Sequence, residues 1–426
     1  MKISALHELF LSCKGVSTDT RTLSGGELFF ALSGENFDGN AFAIQALEKG
    51  ASHAVVRDDI GVDDPRLVKV PDTLEALKAL ARFHREWCGV PVIGLTGTNG
   101  KTTTKELIRT VLSTHFKVVA TEGNLNNEIG VPLSVLRFTK DTEIGLIEMG
   151  ASHPDDLVPL LDVARPTLGL ITNVGKAHLE GFGSFEGVKH AKGLLYDWLK
   201  AHAGVIFSNA DDPVLGAMLA ERCLGSYKYG VKHQGFTVLP ASAEHPFVRI
   251  ETPSFIISTQ LVGAYNASNV LAAMCIGHYF GIPDAEAAAA IGRYEPSNKR
   301  SQLVSSAHNT LIVDAYNANP SSMAVALDNL SLTEGRRVAL LGDMRELGAD
   351  SAAEHEAVVR RLGAYDLCYL VGGEFTKAVA ACGAPYRCFA TSDELAAFLK
   401  ENPLEGCVVL VKGSRGIRME KVIDAL

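Results

Sequence analysis

Lys101 and Thr102 stand immediately after a turn that contains Gly97 and Gly100, and just before them runs the apolar stretch 92–96. A strand that enters a glycine turn and leaves as a helix aims free backbone N–H groups at the turn, which therefore attracts anions. Within residues 97–103, Gly97, Thr98, Asn99, Gly100, Lys101, Thr102 and Thr103 read as a phosphate loop. The lysine supplies a point charge to a terminal phosphate and the Thr102 hydroxyl a hard oxygen to Mg²⁺. The spacing departs from G-x-x-x-x-G-K-[ST], because Leu95 stands where that loop has glycine.

Other chemistry-bearing residues fall at the ends of apolar runs. Glu148 closes 144–148, where a carboxylate either holds Mg²⁺ or is simply solvated. His178 follows 168–172 and is either a metal ligand or a hydrogen-bonded structural imidazole. Asn124, Asn126 and Asn127 lie in an amide-rich loop after 117–121; they suit an uncharged polar ligand or cap the next helix. Asn266 and Asn269 share a helical face and read an adenine edge or serve as a cap. Ser17, Thr18, Asp19 and Arg21 form a polar loop, either an exposed turn or a grip on a sugar nucleotide through Arg21 and backbone amides.

The elements that must position these residues follow from pattern. Strands are expected at 27–32 and 54–56, with helices at 41–49 and 73–87, the latter capped by Asp72. From residue 92 the order becomes strand, helix, strand, with strands at 92–96, 117–121, 144–148, 168–172 and 203–207. Runs this continuously apolar belong to a mostly parallel sheet covered on both faces, whose ligands sit at the carboxyl ends of its strands. A helix at 185–200 carries Lys192, and short β segments fill 226–260 before a helix resumes at Asn266.

A further α/β unit places strands near 310–313, 337–341, 367–371 and 407–411. Polar residues collect at three of its strand ends: Asp314 with Asn317 and Asn319; Asp343 with Arg345 and Glu346; and Lys412 with Ser414 and Arg415. Three such clusters point to a second ligand-binding edge facing the central part. The expected organisation is an α/β protein of three domains. A small N-terminal α/β domain covers 1–88, a central P-loop domain 89–296 and a Rossmann-like domain 297–426.

Composition bounds the rest. A chain of 426 residues, 47% hydrophobic, builds about three cores. A net charge of −9 argues against a sequence-independent grip on nucleic acid or anionic membrane, and no apolar run reaches the length of a membrane span. Eight cysteines without a C-x-x-C pair, mostly in apolar runs, read as reduced, buried thiols of a cytoplasmic protein.

Taken together, residues 96–103, Glu148, the stretch from Asn173 to His178, Asn266 with Asn269, Arg300 and Asp314 resemble the Mur ligase family, whose members add amino acids to the UDP-linked precursor of bacterial peptidoglycan. Residues 19–21 with 28–32, and 123–132, 314–320 and 342–348, are similar to the branch that acts last in the series. The resemblance implies an ATP-dependent ligase whose small-molecule substrates are UDP-N-acetylmuramoyl-tripeptide and D-alanyl-D-alanine, working as a monomer. It implies ATP phosphates on residues 97–103, adenine near Asn269, ribose near Asp314, and Arg300 reaching the phosphates. Two Mg²⁺ ions are implied, one by Thr102 and Glu148 and one by His178, along with a carbamylated Lys192 and chemical roles for Lys101, His178 and Lys192. UDP falls to the N-terminal domain, and the dipeptide to Asp343, Arg345, Glu346, Lys412, Ser414 and Arg415. Tyr265 stands where relatives commonly have histidine, and Leu194 where an acidic residue is frequent. The alternatives are another Mur-type or folylpolyglutamate synthase-like ligase, and a nucleotide-gated regulatory protein.

Overall fold

The computed structural model describes residues 2–34, 37–242, 244–296 and 302–426. The central sheet is built from the apolar runs. Every residue of Val92–Thr96, Ile144–Glu148 and Leu168–Ile171 is buried, so both faces need helices, and only crossover connections supply them. The order across the sheet is Tyr227–Tyr229, Val205–Asn209, Leu168–Ile171, Val92–Thr96, Ile144–Glu148, Val118–Ala120. All of these pairings are parallel. The first strand lies in the middle: the chain adds strands on one side, then crosses to the other. Loops leaving both halves therefore meet beyond Thr96, at the point where such sheets bind ligands.

The N-terminal part holds four parallel strands, Val16–Ser17, Leu28–Phe30, His53–Arg57 and Leu67–Val70. Its long helix Thr73–Cys88 starts where Asp72 accepts from the N–H groups of Leu74 and Glu75, and stops at left-handed Gly89. The helix expected over 41–49 is shorter, Ala43–Glu48, preceded by a 3-10 turn at Gly39–Phe42. Asp38 accepts from the Asn40 N–H and tightens that first turn.

The C-terminal part is a six-stranded sheet in the order Gln302–Ser305, Thr310–Asp314, Cys407–Lys412, Arg336–Gly342, Leu367–Val371, Arg387–Phe389. Only the pairing of its first two strands is antiparallel. The β segments expected over 226–260 divide. Tyr227–Tyr229 extends the central sheet, while Thr237–Leu239, Arg249–Glu251 and Ile256–Ser258 form a separate antiparallel sheet.

The cores join these parts unequally. One cluster runs from Leu6, Phe10, Leu28 and Leu80 through Val92 and Phe138 to Leu157 and Leu199, so the N-terminal sheet and one face of the central sheet share an interior. A second fills the other central face. The C-terminal sheet has its own cores, and among the described buried residues only Val262 brings a central side chain into them. The eight cysteines are free thiols, but only Cys368 and Cys407 are buried; most are half-covered and Cys223 is exposed, which corrects the expectation of buried thiols. Among the described residues no helix is long and apolar enough to cross a membrane.

Candidate functional site

The phosphate loop is held by its neighbours. Gly97 takes φ +143° against Thr172, where a Cβ would collide with the Thr172 hydroxyl; Gly100 takes φ +77°, and a Cβ there would lie 2.8 Å from Asn269 Oδ1. These backbones admit only glycine without strain. Asn173 clamps the turn from both sides, accepting from the Asn99 N–H at 3.0 Å and donating to the Asn99 carbonyl at 3.0 Å. Gly100 is the N-cap of the Lys101–Leu112 helix, and Lys101 Nζ donates back to the carbonyls of Gly97 at 2.7 Å and Thr98 at 3.1 Å. Glycine turn, helix N-terminus and ammonium thus converge on one anion-binding concavity.

Beside it Glu148 is 1% exposed. Its Oε1 accepts from the Thr102 hydroxyl at 3.3 Å and from Asn126 Nδ2 at 2.9 Å, whereas Oε2 is buried without a hydrogen-bond partner. The neighbouring cation is Lys105, whose Nζ lies 3.9 Å from Oε2 and donates to the Thr121 carbonyl at 2.5 Å. A buried carboxylate oxygen left unsatisfied is costly, and beside a hydroxyl it is a hard-oxygen set of the kind Mg²⁺ takes. Among the described residues there is no cluster of three or more His, Cys, Asp or Glu suited to a metal ion.

Lys192 lies on the buried side of the Phe185–Ala201 helix, with Nζ 3.2 Å from the Ala151 carbonyl and 5.3 Å from the Phe182 ring centre. Burial, reinforced by the Lys101 ammonium and partly offset by Asp156, holds its pKa well below the ordinary lysine value. His178 sits in the left-handed region, φ +51°, and its Nδ1 lies against the carboxylate of Glu346, itself at φ +64°. The His178 hydrogen bond outweighs burial and lowers the Glu346 pKa. Two strained non-glycine residues meeting across a seam mark a built contact.

These groups surround a cleft of about 1010 Å³ between the central and C-terminal sheets. From the phosphate loop Thr98, Asn99, Gly100, Lys101 and Thr103 line it, with Glu148, His178 and Asn269. Asn124, Asn126 and Asn127 line it too, and Asn127 also accepts from the Gly130 N–H at the start of the next helix. The C-terminal part contributes Asp314, Asn317, Asn319 and Lys412. Asn319 caps the Pro320–Ser331 helix and donates to Asn99 Oδ1 at 2.8 Å, which joins this part directly to the phosphate loop. A smaller pocket of about 310 Å³ adjoins the cleft through Tyr316 and Asn317 and is lined by Arg345, Glu346, Ser414 and Arg415.

Other residues expected at the site fall elsewhere. Asp343 lines neither pocket, because its carboxylate accepts from the N–H groups of Glu374 at 3.0 Å and Phe375 at 2.8 Å and so caps the Gly373–Cys382 helix. Ser17, Thr18, Asp19 and Arg21 lie away from both pockets, with Asp19 and Arg21 paired to each other. That pair and the Arg21 N–H hold the Asp19 carboxyl down at about 2. Thr102 and Gly97 sit beneath the cleft surface, and Lys192 stands behind the wall formed by Ala151. Asn266 and Asn269 both line the cleft, but Asn266 donates to the Val262 carbonyl and accepts from Asn269, so neither asparagine caps its helix and it is Asn269 that touches the loop. Arg300 lies outside the described residues. The sequence reading missed Lys105, Tyr316 and the wall of Ser152, His153 and Asp156. The last three follow the strand that ends at Glu148, so the rule that weights residues beyond strand ends reaches them once the loop is followed past Gly150.

A phosphate loop on a parallel sheet, opposed across a polar cleft by the strand ends of a second α/β sheet, defines a nucleotide-binding protein of the P-loop class. Family descriptions match in three consecutive segments: the Mur ligase family catalytic domain over residues 12–85, the Mur ligase middle domain over 95–277, and the Mur ligase glutamate ligase domain over 299–415. The chain belongs to the Mur ligase family. It is 36% identical to the UDP-N-acetylmuramoyl-tripeptide--D-alanyl-D-alanine ligase of Bacillus subtilis, over 97% of this chain and 93% of that one. It is 34% identical to the Escherichia coli protein of the same name, over 98% and 94%. Among solved structures it matches MurF from Acinetobacter baumannii with a TM-score of 0.87 at 29% identity, covering 99% and 98% of the two chains. It matches MurF ligase from Thermotoga maritima in complex with ADP with a TM-score of 0.84 at 27% identity, covering 97% of each.

Proposed function

We propose that this chain joins D-alanyl-D-alanine to UDP-N-acetylmuramoyl-tripeptide in the cytoplasm, as a monomer, through an acyl phosphate, with cleavage of ATP and release of ADP and phosphate. The observation that carries this reading is the cleft itself, where the phosphate loop and the orphaned Glu148 oxygen face Asp314, Asn317, Asn319 and Lys412 across one space. The full-length similarity to ligases of that name supports the choice of substrates.

In this reading Lys101 and the amides of residues 97–103 hold the β- and γ-phosphates, Asn269 lies by the adenine and Asp314 by the ribose, with Arg300 assigned by family resemblance. Thr102 and Glu148 would hold one Mg²⁺, and His178 a second. When bound, the ions offset repulsion between the tripeptide carboxylate and the triphosphate as that carboxylate attacks. Lys192 fits carbamylation: burial disfavours its ammonium form, the free amine is nucleophilic towards CO₂, and the product is an anionic oxygen donor. The dipeptide amine then attacks the acyl phosphate, with its carboxylate end at Arg345 and Arg415 in the smaller pocket. The N-terminal part, through its Ser17 to Arg21 loop, would take the UDP end. The three domains 1–88, 89–296 and 297–426 would divide the labour accordingly.

The test measures phosphate release from ATP with UDP-N-acetylmuramoyl-tripeptide, with and without D-alanyl-D-alanine, while product mass is followed. Dipeptide-dependent release and a product heavier by one dehydrated dipeptide are expected. Lys101→Ala should lower turnover by about two orders of magnitude or more. Turnover only with another amine would sink the substrate assignment.

A further inference from the structure

Glu148 faces the cleft, and behind it, outside the cleft lining, stands a cation that the ligase reading leaves without a role. Lys105 is fully buried, whereas Lys101 lines the cleft. It falls three residues after Thr102 and four after Lys101, so one face of the Lys101–Leu112 helix carries the hydroxyl and both ammonium groups. Its Nζ donates to the Thr121 carbonyl at 2.5 Å and lies 3.1 Å from Glu106 Oε1. Glu106 has a second cation in Arg109, at 2.8 Å. Thr121 also ties down the strand that ends at Glu148, its hydroxyl accepting from the Glu148 N–H at 3.0 Å. The ammonium is therefore fixed 3.9 Å from Glu148 Oε2, near enough to balance its charge and too far to hydrogen-bond it. The carboxylate is electrically compensated while one of its oxygens stays open.

We propose that Lys105 is the standing counter-ion of Glu148 and makes capture of a divalent cation by Thr102 and Glu148 conditional on nucleotide. The inference rests on the ion site placed there under the ligase reading, and adds the residue that sets when that site fills. Lys105 is a positioning residue, since it acts on the ion only through its charge and through the carboxylate. Before nucleotide arrives, Lys105 and Glu148 already cancel, so a bare divalent ion finds one open oxygen and meets two ammonium groups, Lys105 and Lys101. Burial and the hold of Thr121 and Glu106 keep the Lys105 ammonium from stepping aside. Phosphates seated on residues 97–103 bring the negative charge that outweighs this repulsion, and the ion enters and leaves with them. A neutral side chain at this position would instead leave Glu148 a buried carboxylate without its cation, ready to take an ion from solution at any time.

The experiment titrates Mn²⁺, a paramagnetic substitute for Mg²⁺ at oxygen ligands, into full-length protein with and without ADP, and reads protein-bound ion from enhanced water-proton relaxation. Wild type is compared with Lys105→Met, Lys105→Gln and the Lys105→Met, Glu148→Gln double variant. Without ADP, wild type should bind Mn²⁺ weakly. Both single variants should bind about tenfold tighter or more, the order expected on removing one charge a few ångströms from the ion at an effective dielectric constant of about 20. Mg²⁺ should displace the Mn²⁺, and the double variant should return to weak binding. Mg²⁺ alone should raise the melting temperature of the single variants and leave that of wild type unchanged, which the loss of a purely structural contact would not produce. Unchanged nucleotide-free affinity in both single variants, or tight binding kept by the double variant, overturns the inference while leaving the ligase reading intact. So does wild type that binds Mn²⁺ as tightly without ADP as with it, a comparison that needs no variant to fold. Wild type without protein-bound Mn²⁺ even in the presence of ADP removes the ion site itself, and the inference with it.

Discussion

Lys412 and Asp314 face each other directly across the parallel pairing of Cys407–Lys412 with Thr310–Asp314, and their side chains close an ion pair of 2.5 Å at the edge of the cleft. Lys412 is 1% exposed and also donates to the Asn317 carbonyl at 3.2 Å, so it fixes the loop that carries Asn317 and Asn319. Lys412→Met leaves a part-buried carboxylate without its cation. We expect a loss of roughly 2–3 kcal/mol in urea unfolding, with more than half regained in the Asp314→Asn, Lys412→Met double variant. A single variant as stable as wild type would show the pair to be energetically idle.

Asp343 supplies a contrasting case. Its carboxylate satisfies two N–H groups of the Gly373–Cys382 helix. Asp343→Ala should therefore cost about 1–2 kcal/mol of stability, while the KM for the dipeptide changes less than about twofold. A large rise in KM with unchanged stability would return Asp343 to the substrate loop.

A third expectation concerns acid. His84 Nε2 lies 2.8 Å from the Phe138 carbonyl, which can only accept, so that nitrogen carries the proton. His84 Nδ1 then accepts from His7 Nε2 at 3.0 Å. This relay pins the Ile3–Ser12 helix to the Thr73–Cys88 helix and to the central part. Burial lowers both pKa values below the ordinary 6.5: His84 and Lys140 lower that of His7 further against Glu8, and at His84 Lys140 does the same against the Phe138 hydrogen bond. The unfolded chain thus binds more protons below about pH 6.5. Stability is full above that value and falls as pH drops from it towards the folded-state values, by up to about 1.4 kcal/mol per pH unit for each histidine. Urea midpoints at pH 7.5, 6.5 and 5.5 should trace this decline, and His7→Gln should flatten it. Equal slopes would remove the relay as the cause.

Gly97→Ala tests the loop without touching a charge. The added methyl meets the Thr172 hydroxyl in a backbone at φ +143°. ADP affinity should fall by about two orders of magnitude or more with the far-ultraviolet dichroism unchanged. Tight ADP binding by the variant would mean that the turn is free to rearrange.

The sheet strands were legible because complete burial leaves an unbroken apolar run, as at 92–96 and 144–148, and Asp72 announced its helix by chemistry alone. The phosphate loop and the asparagine loop were legible for the same local reason. Lys105 was hidden because its meaning lies in Glu148 and Thr121, distant in sequence. Asp343 misled because a strand-end carboxylate looks alike whether it faces a ligand or turns back onto a helix start. The partnership of His178 with Glu346 could not be read at all, since it depends on how two sheets are set against each other.

The two seams of the molecule differ in what water would do to them. Parting the N-terminal sheet from the central one would bare Leu80, Val92 and Phe138, and that interior resists wetting. The seam around the cleft is instead Asn319 with Asn99, Lys176 with Glu354, the Lys176 N–H with Ser321 and Glu346 with His178, anchored by Val262. Solvent is an acceptable substitute for each of these polar partners. Of the two seams, the polar one that borders the C-terminal part is therefore the one that solvent opens at least cost.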